Sequence, residues 1–177
     1  LCQLEEKERI EVELSFARAV QEDLLPEHPP TRDGVRVAAR TVPARFVGGD
    51  FYDFLDVEEH RLGIIVGDVS GKGMSAALYM ARLLGDFRYL AKLHDPPGDV
   101  LTQMNLALSE RSSQGMFASA IYVVVDTKAR TLEVANAGHH PLHLLRDATA
   151  SEECANASGP PLGMLPEHEF PTEAVTL

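Results

Sequence analysis

Leu62-Gly63-Ile64-Ile65-Val66-Gly67-Asp68-Val69-Ser70-Gly71-Lys72-Gly73 decides the architecture of this chain. Residues 62–69 are apolar almost throughout, as in a strand buried on both faces, and they break into a glycine-rich turn. A helix over residues 74–93 follows, with Ala76, Ala77, Met80, Ala81, Leu84 and Phe87 on one apolar face. Upstream, residues 51–57 read as a strand, and so do residues 35–42, where apolar and polar side chains alternate. Downstream, Pro96 and Pro97 suit the first turn of a second helix reaching about Arg111, with Val100, Leu101, Met104 and Leu108 inward. Residues 118–126, 131–137 and 141–146 read as successive strands joined by tight turns, with Asp126 and Asp147 as turn acids. Residues 148–161 are small and polar with Gly and Pro, the composition of a loop. Strands, then helices, then strands predict an α+β fold of stacked layers rather than a doubly wound parallel sheet.

A length of 177 residues suits one domain with one core. The balance of 27 Asp+Glu against 16 Lys+Arg, a formal charge of -11, disfavours a surface that tracks nucleic-acid phosphates or an anionic membrane, although a local basic patch stays open. No apolar run approaches the roughly 20 residues that span a bilayer. The N-terminus has no basic, apolar start of a signal peptide, so no membrane insertion is expected and the reading is cytoplasmic. Cys2 and Cys154 lie near opposite ends without metal-ligand spacing and are expected to carry no chemistry. The absence of an initiator Met points to a piece of a longer chain.

Residues 1–25 lack Gly and Pro and place Ile10, Leu14, Ala17, Gln21 and Leu24 at alternating spacings of four and three, which is a helix with a seam. Val12, Phe16 and Val20 make a second apolar stripe, more than a two-stranded coiled coil needs to bury. Residues 5–13 are mostly charged and read as a solvated connector. The segment is therefore either the tail of a regulatory linker from an upstream domain or a plain N-terminal helix. Dimerisation through Ile10, Leu14, Ala17 and Leu24 is a further expectation. The domain proper spans residues 26–177.

Two turns concentrate acid and glycine after extended segments: Gly48-Gly49-Asp50-Phe51-Tyr52-Asp53, and Gly67-Asp68-Val69-Ser70-Gly71-Lys72-Gly73. An Asp at the end of a buried strand is costly unless something neutralises it. Two such carboxylates with a turn carbonyl suit a hard divalent cation such as Mg2+ or Mn2+. The plainer alternative is that Asp50 and Asp68 only shape turns or cap a helix. A phosphate-binding P-loop is excluded, because Gly67, Gly71, Lys72 and Gly73 have neither its spacing nor its final Ser or Thr.

Six ordered segments carry a resemblance: Ala17-Arg18-Ala19-Val20-Gln21 with Leu24-Leu25-Pro26; Pro43-Ala44 before Val47-Gly48-Gly49-Asp50-Phe51-Tyr52-Asp53; Gly67 to Gly73; Phe117-Ala118-Ser119-Ala120; Asn136-Ala137-Gly138-His139; and Pro161-Leu162-Gly163. Together they resemble the SpoIIE/RsbU branch of metal-dependent protein phosphatases, relatives of the protein phosphatase 2C fold. The resemblance implies a four-layer α/β/β/α sandwich. It also implies a pair of Mn2+ or Mg2+ ions whose bridging water attacks phosphoserine or phosphothreonine, so that no protein nucleophile is needed. By that resemblance Asp50 and Asp68 are the metal carboxylates, with Asp68 bridging, and Val69 adds its backbone carbonyl. Asp53 is either an outer-shell water acceptor or a local turn acid. Lys72 and Arg45 either attract the substrate phosphate or are exposed turn cations. His139 is either a general acid, because an imidazole titrates near neutrality, or the structural hydrogen-bonding histidine that the motif's place at a strand end away from the acidic turns implies, without metal contact; Ser119 is expected to be a core-strand hydroxyl. The family's later Thr-Asp-Gly-like segment and its last Asp find no counterpart up to Leu177, so the expectation is a domain incomplete at its C-terminus with weak metal affinity.

The function expected from the resemblance is dephosphorylation of a small phosphorylated regulator, an anti-sigma-factor antagonist of the STAS type. An upstream sensor or activator would act through the N-terminal helix. Two other readings stand beside it: a catalytically incomplete pseudophosphatase used as a binding or scaffold module, and a divalent-ion-dependent phosphoesterase for small molecules.

Overall fold

The chain runs through α1 (Cys2–Leu24), β1 (Asp50–Glu58), β2 (Arg61–Val69), α2 (Met74–Leu90), α3 (Pro97–Arg111), β3 (Ala118–Asp126), β4 (Thr131–Ala137), β5 (Leu142–Asp147), β6 (Ala150–Cys154) and β7 (Glu173–Thr176). The computed structural model describes residues 2–32, 34–43, 46–111, 115–147, 150–156 and 158–177. Five strands form one antiparallel sheet in the order β1-β2-β3-β4-β7, and β5 and β6 form a separate two-stranded sheet.

Side-chain alternation sorts the sheet into two faces. On one, Phe51, Ile65, Tyr122, Val124 and Ala135 meet Met80, Leu83, Leu84 and Phe87 of α2 and Leu101, Met104 and Leu108 of α3. The Phe87 and Tyr122 rings meet edge to face at 5.0 Å, joining α2 to the sheet. On the other face, Ile121, Val123, Val125, Leu132 and Val134 pack with Leu142 and Leu144 of β5. Helices, main sheet and smaller sheet are thus three of the four expected layers, seen among the described residues, and the α+β reading holds.

Three expectations are corrected. Residues 35–42 do not form a strand: only Val35 is bridged, to Arg32, because alternation yields a strand only where a ladder partner exists. Residues 150–154, expected to be loop, form β6, because β5 offers them an antiparallel partner in a hairpin. β2 is not covered on both faces along its whole length. Ile64 joins the second core cluster, but Val66, two residues on, is 41% exposed, because the smaller sheet does not reach that end. The uncovered end is where the acidic turns lie.

α1 packs through its C-terminal half only. Leu24 and the following Leu25 rest on the helical core, Gln21 is buried, and Leu14 and Ala17 are half-buried, whereas Ile10 is exposed. The second stripe, Val12, Phe16 and Val20, faces solvent. The lower part of the seam is therefore occupied by this chain's own domain. Asp126 is a turn acid as expected, accepting from the Lys128 and Ala129 amides, while the side chain of Asp147 lies outside the described residues. No helix among the described residues is long and apolar enough to cross a membrane.

Candidate metal centre

Antiparallel register, rather than sequence spacing, brings the acids together. Asp50 on β1 is the direct partner of Asp68 on β2, and Asp68 is the direct partner of Ser119 on β3. Directly opposed residues share a face with Cβ atoms about 4.5–5.5 Å apart, so Asp50, Asp68 and Ser119 form a row across three strands. The row lies at the uncovered end of the sheet and both carboxylates are exposed.

Gly49 lets the backbone close up behind this row. A Cβ at that position would stand 2.6 Å from the Val69 carbonyl oxygen and 3.1 Å from the Asp68 carboxylate. The Val69 amide donates to the Gly49 carbonyl at 3.3 Å, which ties the two acid-bearing turns together. The site thus presents two carboxylates with the Val69 carbonyl close by.

Like charges directly opposed across a ladder repel. The Asp68 carboxyl is accordingly held above its ordinary value of 3.8, first by lost hydration at the sheet end and then by the Asp50 charge. Hard oxygen donors bearing uncompensated negative charge fit Mg2+ or Mn2+, which prefer few protein carboxylates and retained waters. Among the described residues no group of three or more His, Cys, Asp or Glu converges as a metal cluster, so the pair and the carbonyl are the donor set present.

His139 completes the row, against the expectation that it lies away from the acidic turns. Its Nδ1 is 2.9 Å from the Ser119 hydroxyl, and it shares with Asp50, Asp68 and Ser119 a cleft of about 480 Å³. The turn that delivers it is built by buried Asn136. The Asn136 Oδ1 accepts from the His139 amide at 2.8 Å, and its Nδ2 donates to the carbonyls of His139, His140 and Ala155 at 3.2, 3.3 and 2.8 Å. Gly138 takes φ +66° at the bend, and a Cβ there would meet the Pro161 ring at 2.6 Å. Burial, and then neighbouring His140, push the His139 pKa down, while Asp50 opposes the shift. The structural hydrogen bond expected of this residue is present; its location was not foreseen.

Asp53 takes neither of the roles considered for it. Period-two alternation sends it to the helical face beside Phe51, opposite Asp50, where it is 3% exposed. Arg88 of α2 donates to it through Nε at 2.6 Å, and the same guanidinium donates to the Leu24 carbonyl at 2.7 Å. α1, β1 and α2 are thereby joined at one arginine.

Gln21 makes a second junction. Its Nε2 donates to the Gly48 carbonyl at 2.8 Å and its Oε1 accepts from the Gly48 amide at 3.1 Å, two residues before Asp50. Lys72 is exposed on the loop after Asp68 and does not line the cleft. Arg45 lies outside the described residues. The sequence reading missed Arg88, Asn136 and the location of His139. The inward phase of Asp53 with Phe51 was the available signal for a buried cation partner.

This layering is shared with a solved PP2C domain. The SiaA-PP2C domain of Pseudomonas aeruginosa superposes with a TM-score of 0.78 at 20% identity, over 97% of this chain and 68% of that one. Residues 58–177 match the family described as Stage II sporulation protein E (SpoIIE), and the chain belongs to that family. Among proteins, the phosphoserine phosphatase RsbP of Bacillus subtilis is 29% identical over 93% of this chain and 41% of its own length. The phosphoserine phosphatase RsbU of the same organism is 30% identical over 76% of this chain and 40% of its own length. The chain thus spans about two fifths of each of these relatives.

Proposed function

We propose that the chain is the main part of a Mg2+- or Mn2+-dependent serine/threonine protein phosphatase acting in the cytoplasm on a small phosphorylated regulator of the STAS type. The observation that carries this reading is the register pair Asp50–Asp68 at the uncovered end of the sheet, facing an open cleft. The names of RsbP and RsbU support phosphoserine as the substrate group. Asp50, Asp68 and the Val69 carbonyl would hold the cations, two in a complete site, which when bound neutralise phosphoryl charge and lower the pKa of a bound water. The chain's own contribution is to hold the two carboxylates in one row with Ser119 and His139, to keep the Val69 carbonyl close by, and to leave that face of the sheet open to a macromolecular substrate. Lys72 and Arg45 remain candidates for attracting the phosphate electrostatically.

In this reading residues 1–25 are the regulatory segment and residues 26–177 the phosphatase domain. An upstream sensor or activator that turns or lifts α1 would act on Gly48 through Gln21 and on Asp53 through the shared Arg88, and so on β1. Ile10 is the seam residue left accessible for a second copy or an activator, with Leu14 and Ala17 half-buried beside it.

A second reading is a binding module without turnover. The test is hydrolysis of a phosphoserine peptide, a phosphorylated STAS protein and a small phosphate ester, with and without Mn2+, by the chain and by Asp68→Asn. Mn2+-dependent turnover of the two phosphoprotein substrates that Asp68→Asn abolishes supports the phosphatase. Tight binding of the STAS protein with no turnover supports the binding module, and turnover of the small ester alone sinks both.

A further inference from the structure

We infer that His139 is a substrate-phosphate-binding residue, its Nε2–H directed into the acidic cleft by a hydrogen bond from Ser119 to Nδ1. This rests on the phosphatase reading above and adds a group to it. Ser119 is the register partner of Asp68, so its hydroxyl belongs to the row of acids, and Nδ1 of His139 lies 2.9 Å from it. A hydroxyl that donates to Nδ1 leaves the ring proton on Nε2, at the opposite edge of the imidazole. Nε2 takes no hydrogen bond among the described residues, and His139 is half-buried and lines the cleft.

The backbone that carries the ring is held in place. Its own amide and carbonyl are both held by Asn136, which is 1% exposed, and the bend before it is fixed by Gly138 packed on Pro161. An N–H donor beside two carboxylates has a defined use. The carboxylates repel a phosphate dianion unless cations cover them, whereas an N–H donor can hold a phosphoryl oxygen without competing for those cations. His139 also borders the groove between Ala38–Val42 and β1, which shares Asp50 with the cleft. It therefore stands where a chain lying in that groove would present its phosphoserine.

The test follows the imidazole nitrogens of the 15N-labelled chain by NMR, with Mg2+ present, as inorganic phosphate is added, and measures phosphoserine-peptide kinetics in Mn2+ alongside. The expected result is a neutral His139 with its proton on Nε2, whose signal moves saturably with phosphate. His139→Ala should weaken phosphate binding about tenfold, the loss of one hydrogen bond to a charged group, and raise KM more than it lowers kcat. Mn2+ affinity by calorimetry should not change. Ser119 is a positioning residue here: Ser119→Ala should lose the tautomer preference and Ser119→Thr keep it. A proton on Nδ1, a signal indifferent to phosphate, or Mn2+ affinity that falls with His139→Ala overturns the assignment. Where His139→Ala fails to fold, the tautomer and phosphate response of the unaltered chain decide the matter. A phosphate response with no peptide turnover upholds His139 and removes the phosphatase reading.

Discussion

Gln21 grips both main-chain groups of Gly48, donating to the carbonyl at 2.8 Å and accepting from the amide at 3.1 Å. One side chain on α1 thus substitutes for the ladder partner that this stretch of backbone lacks. Gln21→Ala removes both bonds and should cost about 1–3 kcal/mol in urea unfolding. Because the grip supports a metal turn, Mn2+ affinity should fall about tenfold or more. Gln21→Glu keeps the acceptor but sets a carboxylate against the Gly48 carbonyl, and should behave no better than alanine. Unchanged calorimetric Mn2+ titrations in both variants would exclude α1 as a support for the site.

Asp68 links stability to pH in the metal-free chain. Its folded pKa lies above the ordinary 3.8, so its contribution to stability is fully present below about pH 4 and is lost as pH rises through the folded value. At neutral pH the opposed charges then cost stability, and Asp68→Asn should raise the melting temperature there while making no difference at pH 3. Mn2+ should reverse the ranking by stabilising the parent chain alone. Calorimetric scans of both proteins at the two pH values, with and without Mn2+, provide the check. A destabilised Asp68→Asn at neutral pH without metal contradicts it.

The Asp53–Arg88 pair is asymmetric, with the carboxylate buried and the guanidinium side chain 42% exposed. Arg88→Met strands a buried charge and should cost about 3 kcal/mol, whereas combining it with Asp53→Leu should recover a large part of that loss. Chemical denaturation of the single and double variants gives the coupling directly. Additive losses would show that the two side chains do not act as a pair.

Gly49 is required by space and not by backbone conformation. In Gly49→Ala the new methyl would press on the Val69 carbonyl, which cannot move without shifting the Asp68 turn. Stability should drop about 1–3 kcal/mol by overpacking, and Mn2+ affinity about tenfold or more. Loss of stability with intact metal affinity would separate the turn from the site.

What the amino-acid order makes legible is whatever repeats locally. The faces of α2 and α3 and the runs of β3 and β4 follow from periodicity, and the two Gly-Asp turns stand out because acid and glycine coincide at strand ends. Pairing is not local. Residues 35–42 alternate like a strand and find no ladder, while 150–154 alternate poorly and find one in β5. His139 is brought to the acids by the turn that Asn136 builds and by the parallel bridge of Gly138 to Ala120, contacts that no spacing encodes. Asp53 illustrates a readable signal left unread. Two positions from Phe51, it has to face the core, and a buried carboxylate there requires a cation such as Arg88.

Among the described residues β1 is an edge strand, laddered to β2, whereas β2 is held on both sides. Asp50 and Asp68 therefore sit on backbones of unequal permanence. Amide hydrogens along β1 should exchange with solvent before those of β2, and local opening should detach Asp50 while leaving Asp68 in place. Such an opening breaks the donor set at one side only, so metal occupancy becomes a gauge of how firmly the sheet's outermost strand is fastened.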